Sequence, residues 1–339
     1  NFIPENKSNI KIHINHIKPS YTRNDTLEFS IKIPATKTND SIVLYLNSKT
    51  IASKKLEKGK KFKLALNESR YGSNALEVKI KGENSSSRHH YNVKVFPYQK
   101  PKDLSYEIIA EYDHDTKDYT QGLIYDHEII IESTGGYGSS LLKKYYLSTG
   151  ALINSYELPK EYFGEGVTKL YDKLYQLTYK ERKILVYNVH DLLPLYTADF
   201  ISEGWGITND GESLIVSDGT SKLYFLDPLT LVVKNTLLVF DHEGEVNKIN
   251  ELEYIKGEIY ANIWFKNEII AIDPTTGEVT KKLNFKELVK SYKKGLLSEK
   301  VLNGIAYDPD HDALLITGKR WPIIFKIKIF EEPTSPPEP

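Results

Sequence analysis

The sequence predicts an all-β protein in two parts, and three observations carry that expectation. Apolar and polar residues alternate along short segments, turn residues punctuate the chain about every ten positions, and a loose unit of about 40 to 50 residues repeats through the last two-thirds. Tyrosine is abundant, 24 in 339 residues, and Ile, Leu and Val are frequent, the composition that pleated, half-buried surfaces favour. The expected architecture is a smaller immunoglobulin-like β-sandwich followed by a five-bladed β-propeller. One stretch reads instead as a helix, Phe285-Lys-Glu-Leu-Val-Lys-Ser-Tyr292, whose apolar residues fall at i, i+3, i+4 and i+7.

The first part rests on period-two segments: Ile10 to Ile17, Leu27 to Ile33, Ile42 to Leu46, Phe62 to Leu66, Ala75 to Ile80 and Tyr91 to Phe96. Such alternation buries one face and wets the other, as each sheet of a sandwich requires. Pro97-Tyr-Gln-Lys-Pro-Lys102 breaks the pattern with two prolines, so the sandwich is assigned residues 1–102. Beyond it, each repeat opens on a small or polar turn: Gln121-Gly-Leu-Ile-Tyr125, Glu165-Gly-Val-Thr168, Gly204-Trp-Gly-Ile-Thr208, Asn250-Glu-Leu-Glu253 and Asn303-Gly-Ile-Ala-Tyr307. Five openings predict five blades over residues 103–330. Tyr106 to Tyr112 is left without a partner at the start, and pairing it with Ile323 to Phe330 closes the ring and protects two edges. Residues 331–339 lack apolar side chains and read as a disordered tail.

Composition excludes several function classes. Lys+Arg 45 against Asp+Glu 46 leaves a net charge of -1, with no global field toward nucleic acid or an anionic membrane. The absence of cysteine removes disulfides, thiolate metal sites and a cysteine nucleophile. No apolar run approaches the roughly 18 residues of a membrane span, and no charged-then-apolar leader opens at Asn1-Phe2-Ile3-Pro4, so a chain free in water is expected. Among nine histidines, His89-His90 in a Ser-rich turn and His114 between Asp113 and Asp115 are expected to be solvated rather than metal-bound.

In a propeller the innermost strands converge on the axis, so the repeat openings meet in space. They bring Gln121, Glu165, Trp205, Asn250 and Asn303 together, and neighbouring strand ends add Tyr179, Trp264 and Lys319. One carboxylate, several amides, a lysine and several aromatics describe a small, largely apolar pocket with a few polar groups.

Here the sequence resembles a known family. Tyr119-Thr-Gln-Gly-Leu123, Glu132-Ser-Thr-Gly-Gly-Tyr-Gly138, Phe163-Gly-Glu-Gly166, Leu177-Thr-Tyr-Lys180, Glu203-Gly-Trp-Gly206, Asn250-Glu-Leu-Glu253, Ala261-Asn-Ile-Trp264, Asn303-Gly-Ile-Ala306 and Thr317-Gly-Lys-Arg-Trp-Pro322 are similar to the plant and bacterial glutaminyl cyclases, in that family's order. The likeness covers the repeat region and none of the first part. It implies cyclisation of an N-terminal glutamine to pyroglutamate with release of ammonia, on a peptide or protein substrate. It implies Glu165 as the acid/base, Gln121, Asn250 and Lys319 as polar groups on the carboxamide, and Tyr119, Phe163, Trp205 and Trp264 as aromatic walls. Where the family usually has tryptophan this chain has Tyr179, which bears on substrate preference. The zinc-dependent animal enzymes have a separate fold and are not the comparison. No cofactor is expected beyond an ion that a propeller channel could hold. A monomer is expected, located by architectural analogy in the periplasm or at the cell surface.

Two other readings fit a propeller. A non-catalytic binding propeller would need no acid/base at position 165, and a metal-dependent lactonase-like propeller would gather several carboxylates around one cation at the channel mouth.

Overall fold

Period-two patterning decides which face of each strand is buried. In Gly72–Lys81, Asn74, Leu76, Val78 and Ile80 are buried while the residues between them open toward water. The computed structural model describes residues 11–14, 18–32, 41–55, 61–81, 86–292 and 300–331. The chain divides into two units, Asn1–Lys100 with Phe240–Gly244, and Pro101–Val239 with Glu245–Pro339.

The first unit holds strands β1 (Lys11–Ile14), β2 (Thr26–Lys32), β3 (Ser41–Leu46), β4 (Lys49–Lys55), β5 (Lys61–Ala65), β6 (Gly72–Lys81) and β7 (Ser86–Val95). They form antiparallel sheets in the orders β1-β2-β5 and β4-β3-β6-β7. Leu27, Phe29, Phe62 and Leu64 of the first sheet share one core with Leu44, Leu76, Val78 and Val93 of the second. Phe29 and Phe62 face each other in register and stack with ring centroids 5.3 Å apart. Strand β4, Lys-Thr-Ile-Ala-Ser-Lys-Lys, was not expected, and His89-His90 lies within strand β7 opposite Val78 and Glu77 rather than in a turn. Ile10, residues 15–17 and Ile33 lie outside the described residues.

The second unit opens with β8 (Lys102–Asp113). Three four-stranded antiparallel meanders follow. The first is β9 (Thr120–Asp126), β10 (Ile129–Thr134), β11 (Leu141–Tyr146) and β12 (Leu152–Glu157); the second is β13 (Gly164–Leu170), β14 (Lys173–Thr178), β15 (Lys183–Asn188) and β16 (Pro194–Asp199). The third is β17 (Ile207–Asn209), β18 (Leu214–Ser217), β19 (Lys222–Leu226) and β20 (Val233–Leu238); the short hairpin β21 (Phe240–Asp241) and β22 (Gly244–Glu245) comes next in the chain, its Phe240–Gly244 belonging to the first unit. Then come β23 (Ile249–Ile255), β24 (Glu258–Ile263), β25 (Glu268–Ile272), β26 (Val279–Asn284), the helix α1 (Lys286–Tyr292), β27 (Leu302–Asp308), β28 (Ala313–Gly318) and β29 (Ile323–Glu331).

These last strands and β8 make one eight-stranded sheet, β23-β24-β25-β26-β8-β29-β28-β27. Strand β8 joins its halves: Lys102–Leu104 run parallel to Lys281–Leu283, while Leu104–Asp113 pair antiparallel with Ile323–Glu331. It is longer than the Tyr106 to Tyr112 segment read from sequence, and Glu331 ends a strand rather than beginning a tail; residues 332–339 lie outside the described residues.

The first strands touch in a closed circuit, β9 against β13, β13 against β17, β17 against β23, β23 against β27 and β27 back against β9. Apolar clusters fill the spaces between successive sheets and between the two halves of the eight-stranded one. Ile131 and Leu142 pack with Val167 and Leu174, and Leu177 and Val186 pack with Ile207 and Val216. Further round, Ile215 and Leu223 pack with Ile249 and Ile259, Ile255 and Tyr260 with Ile305 and Leu314, and Ala306 and Leu315 with Leu123 and Ile130. Each sheet is thus buried on both faces, which is why β28 is buried throughout and strict alternation fades there. Helix α1 seats Leu288 and Val289 in the cluster that holds Phe285, and Asn284 Oδ1 accepts from Lys286 N (2.9 Å) as its cap. Among the described residues no helix is long and apolar enough to cross a membrane.

Candidate active site

The polar site residues stand on irregularities at the starts of the first strands. Gly164 pairs with Thr178 and Val167 with Gln176, so Glu165 and Gly166 together oppose Leu177. In the same way Asn250 and Glu251 oppose Asn262, Asn303 and Gly304 oppose Thr317, and Gln121 is the extra residue between Thr120 and Gly122. A bulge interrupts the ladder and re-aims side chains, so one device recurs at four corresponding positions. At the fifth, Trp205 and Gly206 precede β17 and are held by Trp205 N donating to Ser217 O (3.0 Å) and Ser217 N to Gly206 O (2.9 Å).

Glycine is required here because the first strands approach so closely. Gly166 N donates to Trp205 O (2.8 Å), and a Cβ on Gly166 would lie 2.7 Å from Ile207 N. A Cβ on Gly206 would lie 2.0 Å from Asn250 O. Glu165 and Trp205 thus each stand beside a glycine that lets the next strand come near.

Of the ten residues expected at the pocket, nine line one cavity of about 120 Å³, namely Tyr119, Gln121, Phe163, Glu165, Tyr179, Trp205, Asn250, Trp264 and Lys319, and Asn303 is not part of its lining. That is well under the roughly 300 Å³ at which drug-sized pockets begin, and it suits one short side chain. Five of the nine are aromatic and touch in series. Ring centroids are 6.2 Å apart for Tyr119–Phe163, 6.0 Å for Phe163–Tyr179, 6.4 Å for Tyr179–Trp205 and 5.3 Å for Trp205–Trp264, mostly edge to face. Space for the walls comes from missing side chains: a Cβ on Gly135 would strike the Phe163 ring at 2.3 Å, and one on Gly219 the Trp205 ring at 2.6 Å.

The polar groups are buried among these rings. Glu165 is 6% exposed and Lys319 4%. Burial drives the Glu165 carboxyl well above the usual carboxylate range; the Lys319 ammonium opposes that rise, and Glu181 and Glu203 add to it. Burial likewise lowers Lys319, against the attraction of Glu165. Lys319 Nζ lies 4.7 Å from the centroid of the Tyr119 ring. Asn303 Nδ2 donates to Gln121 Oε1 (3.2 Å), while buried Asn250 Oδ1 finds no partner among the described residues. Such a site offers one carboxyl able to move a proton, cationic and amide donors beside it, and walls that exclude water.

Residues 78–329 match the glutamine cyclotransferase family. A glutaminyl-peptide cyclotransferase of Arabidopsis thaliana is 38% identical over 226 residues, 66% of this chain and 71% of that protein. The chain belongs to the glutamine cyclotransferase family. The crystal structure of Myxococcus xanthus glutaminyl cyclase aligns with a TM-score of 0.65 at 31% identity, covering 69% of this chain and 100% of that one.

Behind the cavity this glutamine cyclotransferase holds a supporting layer that sequence reasoning missed. Tyr187 Oη donates to Gln176 Oε1 (2.9 Å), Gln176 Nε2 to Ser133 Oγ (2.7 Å), and Ser133 Oγ to the backbone oxygen of Glu165. All three side chains are almost fully buried, so the relay fixes the bulge that carries the carboxyl. Glu181 Oε2 accepts from Phe163 N (3.2 Å) and its Oε1 from Tyr137 Oη (2.9 Å). Nothing in sequence spacing marks these residues; their signal is burial of polar groups on strands next to Glu165.

A second buried cluster corrects the reading of His114 as solvated. His114 Nδ1 lies 2.7 Å from Trp321 O and Nε2 3.2 Å from Glu132 Oε1; both partners only accept, so both ring nitrogens carry protons. Burial alone would depress His114, and the Glu132 carboxylate overrides it and raises the group. Glu132 also accepts from Thr120 Oγ1 (2.7 Å) and Tyr145 Oη (2.9 Å). Its burial is outweighed by His114 and Lys143, which hold it at about 2. Lys143 also pairs with Asp118. His114, Asp118 and Glu132 offer ligand atoms within 4.8 Å of one another, as a metal would need; His114 and Lys143 hold Glu132 low, while burial and the Glu132 charge push Asp118 up to about 6. The cluster braces the turn that carries Lys319, through His114 N on Pro322 O (2.9 Å) and Arg320 N on Asp118 O (2.7 Å).

Proposed function

We propose that this chain is a glutaminyl-peptide cyclotransferase whose second unit is a five-bladed β-propeller and whose first unit is an immunoglobulin-like sandwich. The closed circuit of five first strands, with a packed cluster beside each step of it, supports the propeller reading. Two antiparallel sheets around one core support the sandwich. The observation that carries the function is a lone carboxyl, Glu165, held high by burial in an aromatic cavity beside Lys319.

The substrate is a peptide or protein with glutamine at its N-terminus. Its α-amino nitrogen attacks the side-chain carboxamide carbon, and Glu165 accepts the proton that the nitrogen gives up. The C–N bond to the amide nitrogen then breaks, Glu165 returns the proton to it, and ammonia leaves a five-membered lactam. A carboxyl poised above the ordinary range is matched to accepting and donating in turn. Because both reacting groups belong to one residue, the protein has to align them rather than supply a nucleophile. Lys319, Asn250 and Gln121 supply donors to the carboxamide oxygen as negative charge gathers there. The aromatic walls exclude water, which would otherwise hydrolyse the amide. Tyr179 sets the shape and polarity of one wall. No cofactor enters these steps.

Glu165→Gln keeps the shape and removes the proton shuttle. Ammonia release from a Gln-initiated peptide is expected to fall by about 10²- to 10⁴-fold, with the folded state retained by circular dichroism. Full turnover by this variant, or no turnover by the wild type, would overturn the assignment.

A further inference from the structure

The series of touching rings does not stop at the cavity. Phe265 packs its ring on Trp264 at 4.3 Å between centroids yet is 59% exposed. Its backbone lies in the left-handed region, φ 61°, inside a tight turn closed by Lys266 N donating to Ile263 O (2.9 Å). That position favours glycine or asparagine, and a bulky side chain there costs backbone energy. Beyond its contact with Trp264, more than half of the phenyl is left open to solvent. At the other end of the series Tyr137 rests on Phe163 at 5.4 Å, 56% exposed, with its hydroxyl tied to Glu181. The cavity itself has room for one short side chain, so the rest of a peptide must leave across this rim.

We infer that Phe265, continuous with the Trp264 wall, is a specificity-determining residue that receives the side chain of the residue following the N-terminal glutamine, and that it favours an aromatic or large apolar one. This rests on the cyclotransferase reading above and names the class of substrate it acts on. A fixed aromatic face loses little freedom when it meets a second ring, and offset or edge contacts between rings add to simple burial.

The test compares kcat/KM for ammonia release from Gln-Phe and Gln-Gly peptides of equal length. The wild type is expected to prefer Gln-Phe by about fivefold, on the scale of one aromatic pair. Phe265→Gly suits the left-handed backbone and removes the ring, so it should fold normally and bring the ratio close to one. Phe265→Tyr should restore the preference. Tyr171→Ala is the control, because Tyr171 is also exposed with φ 55° but sits at the far end of β13 from Glu165; its ratio should match the wild type. Turnover with equal ratios in wild type and Phe265→Gly overturns this assignment alone. No turnover of either peptide by the wild type overturns the cyclotransferase reading and this assignment with it.

Discussion

At the scale of single residues, Glu165 and Lys319 illustrate how burial and charge oppose each other in one small space. Each is pushed by its surroundings toward the neutral form, and each is pulled back by the other. Removing the ammonium by Lys319→Gln leaves the burial of Glu165 without its counterweight, so the carboxyl holds its proton to still higher pH. The base form then appears only at higher pH, and the acid limb of the kcat/KM profile should move upward, together with a loss of maximal rate. A limb that stays in place in this variant would mean that it reports another group. Seven of the nine cavity residues were legible because each sits at a repeat opening or strand end, while Tyr119 and Phe163 were legible only through the resemblance of their strings to the glutaminyl cyclases. His114 was not legible, since Asp113-His-Asp115 resembles any polar loop; its partner Glu132 is on a strand of the next sheet.

At the scale of elements, the recurrent bulge is what turns a strand into a site. Glu165, Asn250 and Gln121 leave the ladder where an extra residue is inserted, and the neighbouring first strand closes over glycine. A side chain at Gly206 has to displace the Asn250 carbonyl, a backbone group that cannot swing aside. Gly206→Ala should destabilise by about 1 to 3 kcal/mol and lower kcat/KM by shifting Asn250, read by thermal melting and ammonia release. Strand β4 escaped sequence reading for a related physical reason. It is an outer strand, largely exposed, and lysines at both ends blunt the apolar alternation that reveals a half-buried strand. The relay Tyr187–Gln176–Ser133 escaped because three ordinary residues gain meaning only once the sheet of β10 packs against the sheet of β14 and β15.

At the scale of the whole second unit, carboxyls also tie the circuit of first strands together. Glu251 on β23 accepts from Ile305 N (2.9 Å) on β27, and Glu253 from Tyr307 N (3.2 Å) and from Thr208 Oγ1 (3.3 Å) on β17. Burial lifts Glu253 from its ordinary 4.5 to about 8. Between those values the folded chain holds a proton that the unfolded chain releases, so this group's contribution is full below 4.5 and is lost as pH rises through about 8. Glu253→Gln should therefore flatten the fall in melting temperature between pH 5 and pH 9; an unchanged slope would assign the alkaline loss elsewhere. The all-β class and the matching of the first strand with the last were readable from leftover strands and repeat openings. The parallel join of Lys102–Leu104 to β26 was not, because three residues near a proline carry no periodic signal. That first-with-last pairing also bears on synthesis. Lys102 and Glu331, joined by an ion pair at 3.3 Å, stand 229 positions apart. At the pace of a ribosome the first strand waits roughly 10 to 45 s for its partner, with its edge open to any other extended chain. The unit should thus complete only once Ile323–Glu331 has emerged, and a chain cut before Ile323 should be trapped by chaperones or aggregate rather than persist as a smaller folded protein.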